Sequence, residues 1–442
     1  MPGRFPPPGG RSVKRAVVVG SGAAGAAAAA ALQGTFAVTV LERGGEFRPY
    51  GFGLALPERL KRLGLLFDER MIRTLFPAMR VSRTDGRMVL VRGTATGGTT
   101  TLATANALRL DHDLRDLGID LDREFEELGR EIPVTVAHRA RWRESTRAIF
   151  EACRDMGLDP RPMPKMAEPD RCTSCGRCIL GCPTGAKWDA RRFLDEARTR
   201  GAEVVTGCAV AALAGERGRA TGVLAKVKGR RRVFAADLVV LAAGGLGTPA
   251  VLERSGIRCE QRLFVDPVLC VAAEWPGARL NRDVPMPFAV QRDGFIVSPY
   301  FDFLSYFFNR RWRPKPEDTV SLMVKFADEG RGGVSGGKAR KPLTGADRER
   351  LASGRRLCED ILARLGVPKA RTFPGTLNAG HPGGSLPLTA AEAGTLHNPV
   401  LPANVYVADS TLLPRSLGNP PSLTIMALAR KVSRAAAERF GG

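Results

Sequence analysis

Two short apolar runs, at residues 16–19 and 37–41, bracket a glycine-rich turn at 20–25 and an alanine-rich stretch reaching about residue 33. That order predicts a buried strand, a helix and a second strand. Similar apolar runs at 238–241 and 405–407 predict further buried strands. Charged and apolar positions recur at helical spacing over 114–131, 142–156, 190–200, 344–365 and 422–439, and 56–80 reads as mixed helix. A strand-rich stretch begins at 203–206 and continues into a small meander at 221–227 and 231–233. Residues 92–101 are dominated by Gly and Thr and read as a loop. From 259 to 370 the pattern changes to short strands with an aromatic stretch at 300–312. The chain then returns to α/β character. The expected fold class is α/β: a Rossmann-like domain at 16–258, an inserted α+β substrate or cap domain at 259–370, and a return to the first domain at 371–442, all preceded by a flexible basic arm at 1–15.

No apolar run approaches the roughly 18 residues of a membrane span, and the alanine-rich stretch is too short. The arm lacks the apolar core of a secretory signal, so a cytoplasmic location is expected. The formal net charge of +22 raises a nucleic-acid reading. The basic residues are spread along the chain and no nucleic-acid motif accompanies them. An Arg-biased composition, or a surface that docks an acidic electron-transfer partner, accounts for the charge without nucleic acid.

Gly20-Ser21-Gly22-Ala23-Ala24-Gly25 fits G-x-G-x-x-G. The first Gly permits the tight turn, the second lets a pyrophosphate approach the backbone, and the third allows close helix–strand packing. The helix start offers unpaired N–H groups to phosphate. Glu42 ends the next strand, where a carboxylate can hold ribose hydroxyls. This fingerprint does not separate NAD from FAD.

Four of the nine cysteines fall within eleven positions, Cys172-x-x-Cys175-x-x-Cys178-x-x-x-Cys182-Pro183. This is the spacing of bacterial ferredoxins. It fits a structural zinc site poorly, because zinc usually takes two Cys pairs separated by a longer loop. With no second run in the chain, Cys182 either completes a four-iron cluster or stays free beside a three-iron one. Cys153, Cys208, Cys259, Cys270 and Cys358 are scattered and read as small apolar residues.

Further motifs bring a family into view. Arg92-Gly93-Thr94-Ala95-Thr96-Gly97-Gly98-Thr99-Thr100 follows the dinucleotide turn, and Leu241-Ala242-Ala243-Gly244-Gly245-Leu246-Gly247-Thr248-Pro249 runs on to Ser255-Gly256-Ile257. His381-Pro382-Gly383-Gly384-Ser385 comes next, then Asn404-Val405-Tyr406-Val407-Ala408-Asp409-Ser410 and a closing stretch from Leu423. In this order the motifs resemble those of the glucose–methanol–choline (GMC) oxidoreductases. The resemblance implies an FAD-binding domain, with flavin contacts from Gly20, Gly22, Ala23, Ala24, Gly25, Glu42, Arg43, Gly97, Gly98, Thr99, Thr100, Val210, Ala243, Gly244, Thr248, Asp409, Ser410 and Pro421. Some sugar and long-chain alcohol dehydrogenases of the family carry a Cys-rich insert ending in C-P-x-G-A, similar to Cys182-Pro183-Thr184-Gly185-Ala186 here. In the sugar dehydrogenases an iron–sulfur cluster passes electrons to a cytochrome.

Of the four histidines, His381 sits in a glycine-rich turn open to substrate and is the expected base. His112 and His138 have charged neighbours and read as surface residues, and His397 precedes a turn. The family places an Asn or His just before the final helix. Counting back from Thr424, Pro420 falls there and Asn419 lies one residue early, so either Asn419 holds the substrate oxygen or His381 acts alone. The aromatic stretch reads either as core strand packing or as the wall of a pocket for a bulky apolar small molecule. Three functions stay open at this point. The first is a dehydrogenase of CH–OH groups, its electrons leaving through the cluster to a cytochrome, a ferredoxin or a quinone-linked protein. The second is a reductase of C=C or C=O bonds fed through the cluster. The third is an electron-transfer flavoprotein subunit.

Overall fold

The computed structural model describes residues 13–50, 55–63, 72–86, 88–216 and 218–441. Nearly all of the expected basic arm, and part of the expected helix at 56–80, lie outside the described residues.

A five-stranded parallel sheet carries the first half of the molecule, in the order Val405–Val407, Leu238–Leu241, Arg15–Val19, Ala37–Leu41, Glu203–Val205. Its inner strands are covered on both faces, which is why they appear in the sequence as unbroken apolar runs. All four side chains of Leu238–Leu241 are fully buried. The helix Ala23–Leu32 packs on this sheet and against the C-terminal helix Ser422–Phe440. Its face of small alanines permits the close approach. A three-stranded antiparallel sheet, Cys208–Glu216, Arg219–Val227 and Arg230–Ala235, packs alongside.

The second half is built on a larger sheet, ordered Met79–Arg83, Val89–Gly93, Asn378–Ala379, Val268–Glu274, Thr319–Phe326, Phe295–Pro299, Phe288–Arg292, Arg161–Pro162. The helix Gly345–Arg364 covers one face, started by a Thr344–Asp347 capping box. Every residue of the strand Thr319–Phe326 is buried, Lys325 included. Among the described residues, no helix is long and apolar enough to cross a membrane.

Several expectations need correction. The stretch 114–131 is two helices, His112–Asp116 and Asp122–Glu131, parted by a turn in which Gly118 has φ +83°. The loop expected at 92–101 begins as the end of the strand Val89–Gly93 and closes in a 3-10 turn, Gly98–Leu102. Within 56–80 the described residues form two helices, Ala55–Arg62 and Ile72–Leu75, and enter a strand at Met79. The aromatic stretch is a short helix, Phe303–Phe308, because Asp302 caps it by accepting a hydrogen bond from the Leu304 amide at 3.0 Å.

Two glycines of the dinucleotide turn are needed for their shape. Gly20 has φ +101°, and a Cβ there would meet the Ala242 carbonyl oxygen at 2.4 Å. A Cβ at Gly25 would lie 1.9 Å from the Gly20 carbonyl oxygen. Gly25→Ala is therefore expected to destabilise the protein by about 2–3 kcal/mol and, on the family resemblance above, to lower its flavin content. Urea unfolding and the ratio of visible to ultraviolet absorbance would measure both, and an unchanged pair of values would contradict the packing argument.

Candidate active site

A long groove crosses the C-terminal edge of the parallel sheet, the place where ligands bind in open α/β folds. Three helices begin at it: Ala23–Leu32, Gly244–Arg254 and Ser422–Phe440. Ala23–Leu32 and Ser422–Phe440 have no side chain capping their first turn, so their N–H groups and positive dipole ends are available to an anion, whereas the first amide of Gly244–Arg254 is held by a carboxylate. Arg43, Arg92 and Arg254 line the same groove. Burial, and the positive charges of Arg43 and Arg80, depress the pKa of Arg92, and bound phosphate would offset that repulsion.

Glu42 is buried at the groove. One carboxylate oxygen accepts from the Ser21 amide at 3.2 Å and from the Ser21 hydroxyl, and the other accepts from the Gly44 amide at 2.7 Å. Burial raises its pKa although these bonds oppose the shift. A carboxylate has about four acceptor sites, so capacity remains for a ribose hydroxyl. Asp409 works differently. Its oxygens accept from the Gly244 amide, the Thr248 hydroxyl, and the amide and hydroxyl of Thr411, and this knots a helix start to the strand Val405–Val407.

Of the residues expected to contact flavin, Gly20, Gly22, Ala23, Ala24, Glu42, Arg43, Gly98, Thr99, Thr100, Val210, Ala243, Gly244, Asp409, Ser410 and Pro421 line the groove. Gly25, Gly97 and Thr248 do not. Gly25 packs under the turn, Gly97 donates its amide to the Ser21 carbonyl, and Thr248 ties the Ala243 amide to Asp409.

A second cavity of about 200 Å³ opens from the groove. Arg92, Gly93, Thr99, Ala103, Gly380, His381 and Ser422 line both, so His381 stands at the junction. The cavity wall is mostly apolar: Phe76, Leu102, Ile179, Leu180, Phe303, Phe307 and Phe308 line it, with Tyr300. The aromatic stretch thus divides. Phe301, Tyr306 and Trp312 pack together in the core, and the other four rings face the cavity.

His381 Nδ1 lies 3.3 Å from Asp266 Oδ2, and that carboxylate meets the buried Lys325 ammonium at 2.9 Å. A carboxylate accepts, so Nδ1 carries the proton and Nε2 is left as the acceptor. Burial and the Lys325 charge hold the His381 pKa below its ordinary value, against the pull of Asp266, which favours a neutral ring at pH 7. Asp266 is itself anchored by the Ser416 hydroxyl and by the Gly418 amide at 3.1 Å. Burial alone would raise its pKa, but Lys325 and His381 hold it far below the usual carboxylate range. The network continues through Ser416 to Asp328 at 3.0 Å and on to Lys341, 2.6 Å from Asp328. Asp266, Lys325, Asp328 and Lys341 were all missed in the sequence. For Asp266 and Lys325 the signal was an isolated charge inside an apolar run, whereas Asp328 and Lys341 have charged neighbours in sequence.

Asn419 does not join His381 on the cavity. It is buried, and its amide donates to the Gln291 side chain at 3.3 Å, while Pro420 takes the place on the wall. His138 is no surface residue. Its Nε2–H donates to the Met163 carbonyl at 2.8 Å, its Nδ1 accepts from the Trp142 indole at 2.9 Å, and burial pushes its pKa down to about 4. His112 is exposed, and His397 lies 3.2 Å from the Pro402 carbonyl, away from both cavities.

The four clustered cysteines surround a third, small cavity with Lys165, Lys187, His138 and Arg141. No three of their sulfurs lie within 4.8 Å of one another. A zinc tetrahedron with Zn–S near 2.3 Å would bring the sulfurs to about 3.8 Å from one another. Two buried ammonium groups flank the thiols. Lys165 donates to the Thr104 and Pro285 carbonyls and to Asn106, and burial pushes its pKa down to about 7. Lys187 donates to the carbonyls of Thr100, Thr101, Ala103 and Cys178 at 2.7–3.1 Å. The donor set and these cations fit an anionic thiolate cluster. Thr104 and Ala105 line both this cavity and the apolar one.

The fold and groove define a flavin-dependent oxidoreductase. The sequence profile of the GMC oxidoreductase family matches residues 15–270, more than half of the chain, and the protein belongs to that family. It is 26% identical over 343 residues to an uncharacterized protein of Methanocaldococcus jannaschii, covering 76% of this chain and 85% of that one. It is 24% identical over 413 residues to a long-chain-alcohol oxidase of Arabidopsis thaliana, covering 81% of this chain and 52% of the plant protein, so it spans about half that relative's length. Among solved structures, pyridoxine 4-oxidase from Mesorbium loti superposes with a TM-score of 0.66 at 18% identity, covering 95% of this chain and 98% of that one, and it shares the fold.

Breaking the buried pair beneath His381 tests the network. Lys341→Met would strand the Asp328 carboxylate and is expected to cost about 3–5 kcal/mol. Adding Asp328→Asn should recover part of that loss. Denaturant unfolding of the two variants measures both, and equal stabilities would refute the coupling.

Proposed function

We propose that the protein is an FAD-dependent dehydrogenase that oxidises the CH–OH group of an apolar alcohol, with electrons leaving through an iron–sulfur cluster to an external carrier. The observation that carries this reading is the place of His381, at the junction of the flavin groove and an apolar cavity, with Nε2 turned to neither Asp266 nor any other hydrogen-bond partner among the described residues. His381 would take the hydroxyl proton on Nε2 while Asp266 holds the ring in one tautomer and orientation. FAD bound in the groove would accept the hydride leaving the carbinol carbon. The apolar wall, with Phe303, Phe307 and Phe308, would exclude water and hold an aliphatic or aromatic chain, in keeping with the name of the plant relative. Residues 72–106, 179–180 and 259–370 would share the substrate side, the last supplying its aromatic helix, and 371–442 would supply the base and the return to the flavin.

Cys172, Cys175, Cys178 and Cys182 would hold the cluster, four-iron in the fuller reading. A cluster there would carry single electrons away from a two-electron reaction. Lys165 and Lys187 would balance its negative charge.

His381→Ala should keep its flavin spectrum and lose turnover by about 10²-fold or more; intact turnover would remove the base assignment. Because the neutral ring is the active form, the rate should fall as pH drops through a value below the ordinary 6.5 of histidine. Lys325→Met removes a repelling cation and should move that acid limb to higher pH, whereas Asp266→Asn should move it lower. Shifts in the opposite sense would contradict the assignment.

The cluster has its own test. Protein prepared without oxygen should contain about four iron atoms per chain, with a rhombic EPR signal on reduction, and Cys175→Ser should lower both. Stoichiometric zinc without iron would defeat this part of the reading.

A further inference from the structure

We infer that a depression beside Cys172 is the docking surface for an acidic one-electron carrier protein; this rests on the iron–sulfur reading above. The depression is lined by Arg141, Arg143, Arg147 and Arg279, with Cys172, Thr173 and Ser174 on its wall. All four arginines are exposed. Elsewhere on the surface the arginines are commonly neutralised by carboxylates, as with Arg109, Arg154, Arg198 and Arg355. Among the described residues, none of the four has such a partner. Arg141 donates to the carbonyls of Pro169 and Cys172, Arg143 to that of Arg282, and Arg147 to that of Ala140. Carbonyl bonds orient a guanidinium without cancelling its charge. Glu144 and Asp170 are the carboxylates on the lining, so cations outnumber anions there two to one.

Position adds to charge. Arg141, Cys172, Thr173 and Ser174 line both this depression and the cavity enclosed by the four cysteines. A protein seated on the depression is separated from that cavity by the cysteine loop alone. The lining offers no exposed aromatic ring on which a base could stack, since Trp142 is buried, and Pro276 is its one exposed apolar side chain, too little to insert into a lipid surface. An acidic protein surface is the partner this chemistry recognises. Oxidation of one alcohol to a carbonyl releases two electrons and two protons. Two carrier molecules would each take one electron, and the protons would pass to solvent.

The test uses the holoenzyme, photoreduced without oxygen and mixed in a stopped-flow cell with plastocyanin, an acidic one-electron copper protein. The wild-type bimolecular rate should fall steeply as salt is raised. The triple variant Arg143→Glu/Arg147→Glu/Arg279→Glu should react about tenfold or more slowly with plastocyanin at low salt, faster with a basic cytochrome c, and at the same rate with a neutral benzoquinone. Arg219→Glu/Arg230→Glu, on the three-stranded antiparallel sheet, should change none of these. Equal rates in the two variants, or a salt-independent wild-type rate, would overturn the docking surface while leaving the cluster standing. Absence of a cluster EPR signal in reduced wild type would overturn both. If the triple variant does not fold, Arg279→Glu alone, at a side chain with no hydrogen bond to break, is read in the same way.

Discussion

The architecture around the active site depends on one buried ammonium group. Lys187 follows the cysteine loop and shares its three N–H groups among four backbone carbonyls, two on the 3-10 turn that borders the groove, one at Ala103 just after it and one at Cys178. A cation taken out of water is costly unless its hydrogen-bonding capacity is met, and burial depresses its pKa accordingly. The four carbonyls meet that demand only if the two loops are held at a fixed separation. Lys187 therefore acts as a strut between two segments more than eighty residues apart in sequence. The turn also carries Gly98, Thr99 and Thr100 on the groove, so the position of the cysteine loop and the shape of the flavin site are mechanically one quantity.

The second constraint is the chain of buried charges under His381. Asp266 receives hydrogen bonds from a histidine, a lysine, a serine and a backbone amide that belong to three separate stretches of sequence. His381 is thus located by the packing of the large sheet against the C-terminal segment as well as by its own glycine-rich turn. That turn is in turn fixed by Ser410, whose hydroxyl donates to the Pro382 carbonyl at 2.7 Å and whose carbonyl accepts from the Gly384 amide. Ser410 adjoins the Asp409 knot, so the groove and the His381 turn share a common support.

What was legible in the sequence and what was not divides along physical lines. Strands buried on both faces leave unbroken apolar runs, and 37–41, 238–241 and 405–407 were readable to the residue. The dinucleotide turn and the groove motifs were readable because close backbone approach restricts them to glycine and small residues. The buried charges were not, because each is meaningful only beside a partner far away in sequence: Lys325 and Asp266 are 59 residues apart, and Asp266 and His381 are 115 apart. His138 misled because its sequence neighbours are charged while its ring turns inward to Met163 and Trp142. Counting back from Thr424 put Pro420 at the position before the final helix, and Pro420 is the residue that meets the cavity, while the Asn419 side chain is held by Gln291.

Thr104 and Ala105 separate the apolar cavity from the space among the cysteines, and Ala105 holds a left-handed backbone, φ +57°, that glycine would adopt more readily. A wall one backbone thick is short on the distance scale over which an electron's wavefunction decays. On the function proposed above, such a membrane of two residues would sort traffic by mass: matter stays on the side where it entered, and charge alone goes through.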